Sequence, residues 1–276
     1  MGWRPLSGVR SIPRRLVLVL SITGLLALPA IGQAAEWPLS GYWPMYEGRG
    51  DVVRDISGVG NHGTLGATRT ADPRDAQWIR GLFGVGSALK FDGNDYVAIA
   101  DDPTLRQQRL TVEAWVRRAG SPGPYRYVVS KGGDGCEAAS YGMYSSANGG
   151  IAFYVYDGSR FWRSPQGATS IWDDRWHHVA GTYDGARVHL YVDGLEVGTG
   201  TPFAGLIKYD QPYGAGAIGA YRGSCDLTMS GSVDEVRIWR QALSIPAIWS
   251  RIKAGLDREP AAALPQDAFA WYVAGS

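Results

Sequence analysis

Residues 55–63, DISGVGNHG, hold the chain's clearest donor set for a hard cation. Asp55 brings a carboxylate and Asn61 an amide oxygen. The glycines between them let the backbone curl until carbonyl oxygens face one centre, which is the coordination calcium takes. The same residues also spell an Asx-type turn, with Asp55 accepting from nearby backbone amides. A second group suits carbohydrate. Tyr125, Tyr141, Tyr144, Tyr156, Trp162, Tyr213 and Tyr221 offer rings that stack on the apolar face of a sugar. Arg160, Arg222 and Asp226 could orient its hydroxyls or an acidic group. Sheet proteins place such rings in cores and over strand edges as well. The histidines read as structural: His177 and His178 are adjacent, so on a strand they point to opposite faces, and His62 and His189 have no partner two or four residues away.

The elements that must position these groups are strands. Among the 276 residues, glycine is abundant at 38 and tryptophan and tyrosine number 11 and 15, a profile that fits short aromatic strands joined by tight turns. Apolar residues make up 45% of the chain, enough to bury a full core in one domain. Residues 110–117 alternate Leu110, Val112, Ala114 and Val116 against Thr111, Glu113, Trp115 and Arg117, so one aliphatic face packs inward. Residues 150–156 and 176–183 follow the same pattern. Residues 187–192 and 195–199 flank Asp193-Gly194, a two-residue turn that tolerates positive φ, and so predict a hairpin. Ser244 predicts the cap of a short helix, with Pro246 in its first turn, Ile248 and Ile252 on one face and Gly255 as its stop. That helix is expected to close one end of the fold.

Charge and cysteine content narrow the partners. A net charge of +1, from 27 basic and 26 acidic residues, leaves no field to hold a phosphate backbone, so nucleic acid is not an expected partner. Arg4, Arg10, Arg14 and Arg15 precede an apolar run over residues 16–31 and the small residues Gly32, Ala34 and Ala35. That order predicts a secretory signal peptide over residues 1–35, cleaved near Ala34. The run is shorter than the roughly 20 residues of a membrane span, and no later segment is long and apolar enough to cross. In an oxidising compartment the two cysteines, Cys136 and Cys225, are expected to pair, and closing a loop of that length contributes about 4 kcal/mol in the chain-entropy picture.

Several segments, in order, resemble the laminin-G-like, concanavalin-A-like jelly-roll family. They are GYWPMYEGRGDVVRDISGVGNHGTL (41–65), ALKFDGNDYVAIA (88–100), LTVEAWVRR (110–118), WHHVAGTYDGARVHLYVDGLEVGTG (176–200) and GSVDEVRIWRQAL (231–243). The resemblance spans residues 41–255 and implies a two-sheet antiparallel jelly-roll sandwich with a short C-terminal helix. It also implies calcium held between the early loop and an acidic residue of a late strand, which makes Asp234 the partner of Asp55 and Asn61. On a regular strand Ser232, Asp234, Val236 and Ile238 share one face and Val233, Glu235, Arg237 and Trp239 the other, so Asp234 and Glu235 meet one ion only across a bulge. The alternative for Asp234 is a buried hydrogen bond to backbone amides. Pentraxins, a more distant likeness, carry ligand-binding calcium on loops placed like 131–137 and 220–226, so Asp134, Glu137 and Asp226 would be oxygen ligands. The acidic cluster of pentraxins is missing between Tyr221 and Met229, which leaves a solvated loop pair stapled by the cysteines as the other reading.

Enzymes share this architecture. Its hydrolases resemble one another in setting Glu, Asp and Glu on alternate residues of one strand, whereas Glu113 stands alone and Asp234 and Glu235 are adjacent. The arginine, glutamine, histidine and tyrosine set of its lyases is not evident either. The expectation is therefore an exported, non-catalytic module over residues 36–255 that binds a glycan or glycoprotein, with calcium as a candidate cofactor. Its ligand set is Asp134, Glu137, Tyr141, Tyr144, Trp162, Tyr221, Arg222 and Asp226. A structural or adhesive protein-binding module is the alternative, and a glycoside hydrolase or polysaccharide lyase the second. Residues 256–276 read as linker and tail, with a polar stretch at 257–266 and a short apolar segment at 268–273 that suits docking on a neighbour.

Overall fold

The computed structural model describes residues 1–2, 38–66, 75–133, 135–136, 139–210, 212–221, 223, 225 and 227–256. Met1–Glu36 and Trp37–Ser276 are separate units, and every element below lies in the second. The expected signal peptide and the tail from residue 257 onward lie outside the described residues.

The first strands are β1 (Leu39–Trp43), β2 (Val52–Val53), β3 (Gly63–Leu65), β4 (Gln77–Arg80), β5 (Ser87–Asp92) and β6 (Val97–Ile99). Next come β7 (Leu110–Arg117), β8 (Tyr127–Gly133), β9 (Tyr141–Tyr144), β10 (Ala152–Tyr156) and β11 (Phe161–Arg163). The last are β12 (His177–Tyr183), β13 (Arg187–Val192), β14 (Leu195–Glu196), β15 (Thr201–Pro202), β16 (Tyr213–Ile218) and β17 (Ser230–Trp239), followed by the helix α1 (Ile245–Leu256). They form two antiparallel sheets. The first runs β14-β13-β12-β7-β17-β5-β4, with β1 also on β17 and β15 on β13. The second runs β11-β10-β9-β8-β16-β6-β3-β2. This is the expected jelly-roll sandwich.

Period-two patterning builds the core between the sheets. Leu110, Val112, Ala114 and Val116 of β7 face Met143, Phe153 and Val155 of the second sheet within one buried cluster. The predicted hairpin forms: Asp193 (φ 49°) and Gly194 (φ 77°) both take the left-handed conformation and join β13 to β14. The other face of β7 is buried too. Trp115, with Ala180, Tyr191 and Trp239, packs under Ile248 and Ile252 of α1. The helix thus covers the outer face of the first sheet and does not close an end of the sandwich. Gly255 lies within the helix, packed on Trp115, and the helix runs one residue past it.

The regular alternation expected along β17 is broken. Its register with β7 shifts between Asp234 and Arg237, so three steps on β17 span two on β7, and Glu235 adopts φ 54°. The extra residue flips the phase, and Val233 joins Val236 and Ile238 in the core instead of opposing them. The bulge falls where β17 changes partners, from β5 along residues 230–233 to β1 along residues 236–239. There the Glu235 carboxylate accepts from Tyr42 Oη at 2.7 Å, from Tyr46 Oη at 2.8 Å and from the Arg237 guanidinium.

Candidate functional site: an aromatic hollow on the second sheet

On β9 and β10 the residues facing away from the core are aromatic as well. Met143, Phe153 and Val155 enter the core, while Tyr144 and Tyr154 stand on the outer face with Tyr127 at the start of β8. Gly142 lies beneath them. A side chain there would put its Cβ 2.7 Å from the Tyr127 ring and 2.9 Å from the Tyr154 ring, so glycine is what lets the two rings close over the strand. Their hydroxyls meet at 2.9 Å, and Ala139 N donates to Tyr154 Oη at 3.3 Å. Burial pushes the pKa of both hydroxyls well above that of a free tyrosine, which keeps them neutral, able to donate and accept.

These rings floor a hollow of about 340 Å³. Its walls are Tyr125, Phe161, Leu227 and the Cys136–Cys225 disulfide, and Arg163 stands at its rim. The disulfide forms as expected, with Cα atoms 5.1 Å apart. Tyr127 N donates to Leu227 O at 3.2 Å, and Tyr127 bridges to Thr228, which fixes that wall against β8. Tyr125, at φ 59°, is 46% exposed, and its ring lies parallel to that of Tyr144 with centroids 6.3 Å apart. Two stacking contacts of about 3.5 Å would need roughly 7 Å, so these two rings leave no room for a third between them. Phe161 meets Tyr154 edge-on at 5.2 Å. Arg163 lies with its guanidinium carbon 4.6 Å from the Phe161 ring centroid, on the side of the Tyr144 hydroxyl. Burial raises the pKa of Tyr144, and Arg163 opposes that rise.

Of the expected ligand residues, Tyr144 lines the hollow, and Tyr221 backs it with its ring 5.2 Å from that of Tyr127. Tyr141 does not belong to it. It is fully buried in the core and donates to Leu105 O at 3.2 Å, which leaves no ring face for a ligand. Trp162 points to the opposite face of β11 from Phe161 and Arg163, stacks on Phe203 at 4.7 Å and donates to Asp157 Oδ2. Arg160 covers that indole ring at 4.5 Å. Asp134, Glu137, Arg222 and Asp226 lie outside the described residues. Tyr127, Tyr154, Phe161 and Arg163 are not in the expected set. Their signal was available in part, since Tyr154 alternates with Phe153 and Val155 and must face away from the core.

The expected metal residues are tied up in backbone hydrogen bonds. Asp55 Oδ1 accepts from Tyr42 N (2.9 Å) and Ser57 N (2.8 Å), and its Oδ2 from Gly60 N (3.1 Å) and Asn61 N (2.8 Å). The Asn61 side-chain amide donates to Ser40 O and Thr104 Oγ1. Asp234 accepts from Leu82 N and Glu235 N, both at 2.8 Å. A cation at Asp55 would have to displace four N–H donors, so this donor set fits an amide hub and not a calcium site. Among the described residues, no three of His, Cys, Asp or Glu gather as metal ligands.

His177 and His178 point apart, as expected of adjacent strand residues. His177 lies between Asp193 (2.7 Å) and Asp173 (3.1 Å), while His178 is fully buried with Nε2 3.3 Å from Glu113 Oε2. Glu113 Oε1 accepts from Trp239 Nε1 at 3.1 Å and faces Arg237 Nη1 at 3.5 Å. Burial alone would raise the Glu113 pKa, but His178, Arg237 and Trp239 hold it below the usual value.

Residues 91–248 match the family described as the Concanavalin A-like lectin/glucanases superfamily (Laminin_G_3). No curated protein matches the chain by sequence. Among solved structures it is similar to domain 4 of AbnA, a GH43 extracellular arabinanase from Geobacillus stearothermophilus, in complex with arabinotriose. That likeness has 17% identity and a TM-score of 0.58, over 78% of this chain and 98% of that one. It is also similar to the binding domain of Paraclostridial Mosquitocidal Protein 1, at 12% identity and a TM-score of 0.59, over 79% of this chain and 52% of that one. A third likeness is to Trypanosoma rangeli sialidase in complex with sialic acid, at 17% identity and a TM-score of 0.53, over 76% of this chain and 32% of that one. At these identities the likeness is one of fold. No helix among the described residues is long and apolar enough to cross a membrane.

Proposed function

The chain belongs to the Concanavalin A-like lectin/glucanases superfamily, and on that footing we propose that it is an exported module that binds a glycan without cleaving it, seated in the aromatic hollow. The observation that carries the proposal is the hollow's make-up: a ring open to solvent at Tyr125, a floor of neutral tyrosine hydroxyls, and one arginine. Sugars need this pairing of an apolar stacking surface with a few fixed polar groups. The lining includes no carboxylate among the described residues, whereas glycoside hydrolysis needs two about 5–10 Å apart. Glu113 and Glu235, the buried glutamates, are each spent on Arg237 in the other sheet. AbnA domain 4, similar in fold, carries arabinotriose. The disulfide suits an oxidising compartment, which supports export.

The test is a glycan-array screen of the full chain and of Tyr125→Ala, with mass analysis of the bound glycans. The expected result is binding to a defined set of glycans, unchanged in mass, and its loss in the variant. No bound glycan turns the reading toward an adhesive module whose tyrosines meet a protein surface. A shortened glycan turns it toward an enzyme.

A further inference from the structure

The hollow has one charged lining residue among those described, and its surroundings fix its orientation. Arg163 ends β11, the edge strand of the second sheet, directly across from Tyr154. Phe161 holds the guanidinium by a cation–π contact at 4.6 Å, beside the Tyr144 hydroxyl. No carboxylate of the described residues pairs with it, whereas Arg106, Arg117, Arg175 and Arg237 each have one. An arginine that only covered Phe161 would leave its remaining donors to water. This one presents them, exposed, at a hollow that Tyr125 also lines and whose described lining residues carry no other charge. We infer that the hollow selects an acidic sugar, with Arg163 taking the sugar's carboxylate through its two-donor fork while the ring lies on Tyr125. This rests on the reading of the hollow as a glycan seat. Carboxylate is favoured because its planar pair of oxygens matches the guanidinium fork. A volume of about 340 Å³, near the lower end of ligand pockets at roughly 300–1,000 Å³, limits the seat to one or two sugar units.

The experiment is calorimetric titration of the full chain with matched pairs: 3′-sialyllactose against lactose, and trigalacturonic acid against galactotriose. 3′-Sulfolactose reports on a different anion. The expected result is tighter binding of at least one carboxylate sugar than of its neutral partner. Arg163→Gln should weaken the bound acid about tenfold or more. Arg163→Lys, which keeps the charge and loses the fork, should recover only part of that affinity. Added salt should weaken the acid and leave a neutral sugar unaffected. Because Arg163 is exposed, both variants should fold, checked by an unchanged Tm. Equal binding of acid and neutral partners overturns the inference and leaves the glycan reading standing, provided Tyr125→Ala abolishes both. Preference for the sulfate ester overturns the carboxylate assignment. Binding of no probe overturns the inference, and the array result then decides the glycan reading separately.

Discussion

Replacing Asp55 by alanine tests whether this carboxylate is an amide hub or a cation ligand. Four backbone N–H groups end on it. A hydrogen bond to a charged acceptor contributes about 1.5–3 kcal/mol, and a buried donor left without a partner costs about 1–3 kcal/mol. The four do not weigh equally. Gly60 is exposed and Ser57 half-buried, so their amides find water once the carboxylate is gone. Asn61 is 8% exposed and the Tyr42 amide belongs to β1, so these two lose most of their bond. Counting only those two gives a loss of about 3–5 kcal/mol, or about 10 °C in Tm for a domain of this size. Asp55→Asn should lose nearly as much, because its NH2 would face two N–H donors. The assay is calorimetric unfolding of wild type and both variants, in calcium and in excess chelator. Because amides fill the carboxylate, the wild-type Tm should match in the two buffers and each variant should lose the same amount in both. A loss below about 1 kcal/mol would refute the hub. A wild-type Tm raised in calcium, with the rise gone in Asp55→Ala, would restore the metal site.

Three further perturbations probe the packing and the charges. Gly142→Ala should cost about 1–3 kcal/mol by overpacking, since its Cβ would strike the Tyr127 and Tyr154 rings; near-ultraviolet circular dichroism should register the displaced tyrosines, and an unchanged spectrum would count against the nest. Burial alone would lower the His177 pKa, but Asp193 and Asp173 hold it above its ordinary value. Its contribution is therefore complete below about pH 6.5 and is lost as pH rises through the raised value. Urea unfolding should show this pH dependence in wild type and not in His177→Gln. Glu113 has the opposite sign: its depressed pKa contributes stability above about pH 4.3, lost as pH falls through the lower folded value. Glu113→Gln should flatten that acid limb and cost about 1–3 kcal/mol at neutral pH by weakening the contacts to Trp239 and His178 while Arg237 keeps Glu235, read as a lower urea midpoint at constant slope.

What was legible in the chain is what period two controls. The β7 alternation and the Asp193-Gly194 turn each specify their local structure with little help from distant residues, and both appear as expected. The bulge in β17 was not legible, because nothing local announces it. Glu235 at φ 54° is sustained by Arg237 two residues on and by Tyr42 and Tyr46, whose two hydrogen bonds exist only after β1 has reached β17. The hollow was half legible for a related reason. Tyrosine on a strand reads equally as core, edge cover or ligand surface, and only the register decides. Tyr141 and Tyr144 are three residues apart on one strand and so face opposite ways, the first sealed in the core and the second on the hollow's floor.

The two outer faces of the sandwich explain why the second sheet is where a ligand would settle. Trp115, Tyr191 and Trp239 on the first sheet are already covered by Ile248 and Ile252 of α1, so those rings are not open to a ligand. On the second sheet Tyr127, Tyr144 and Tyr154 have no helix over them among the described residues. They are shielded by one another, by Tyr125 and Phe161, and by a wall held with a disulfide. A core aromatic cluster normally ends under aliphatic side chains, as the first sheet's does. This one ends at Tyr125 with nearly half its surface in water and at an arginine paired with no carboxylate among the described residues. Leaving the Tyr125 ring open in this way forgoes packing energy that a leucine-rich loop would have supplied. A ligand with one apolar face and one anionic edge would recover that packing and match the charge in a single contact.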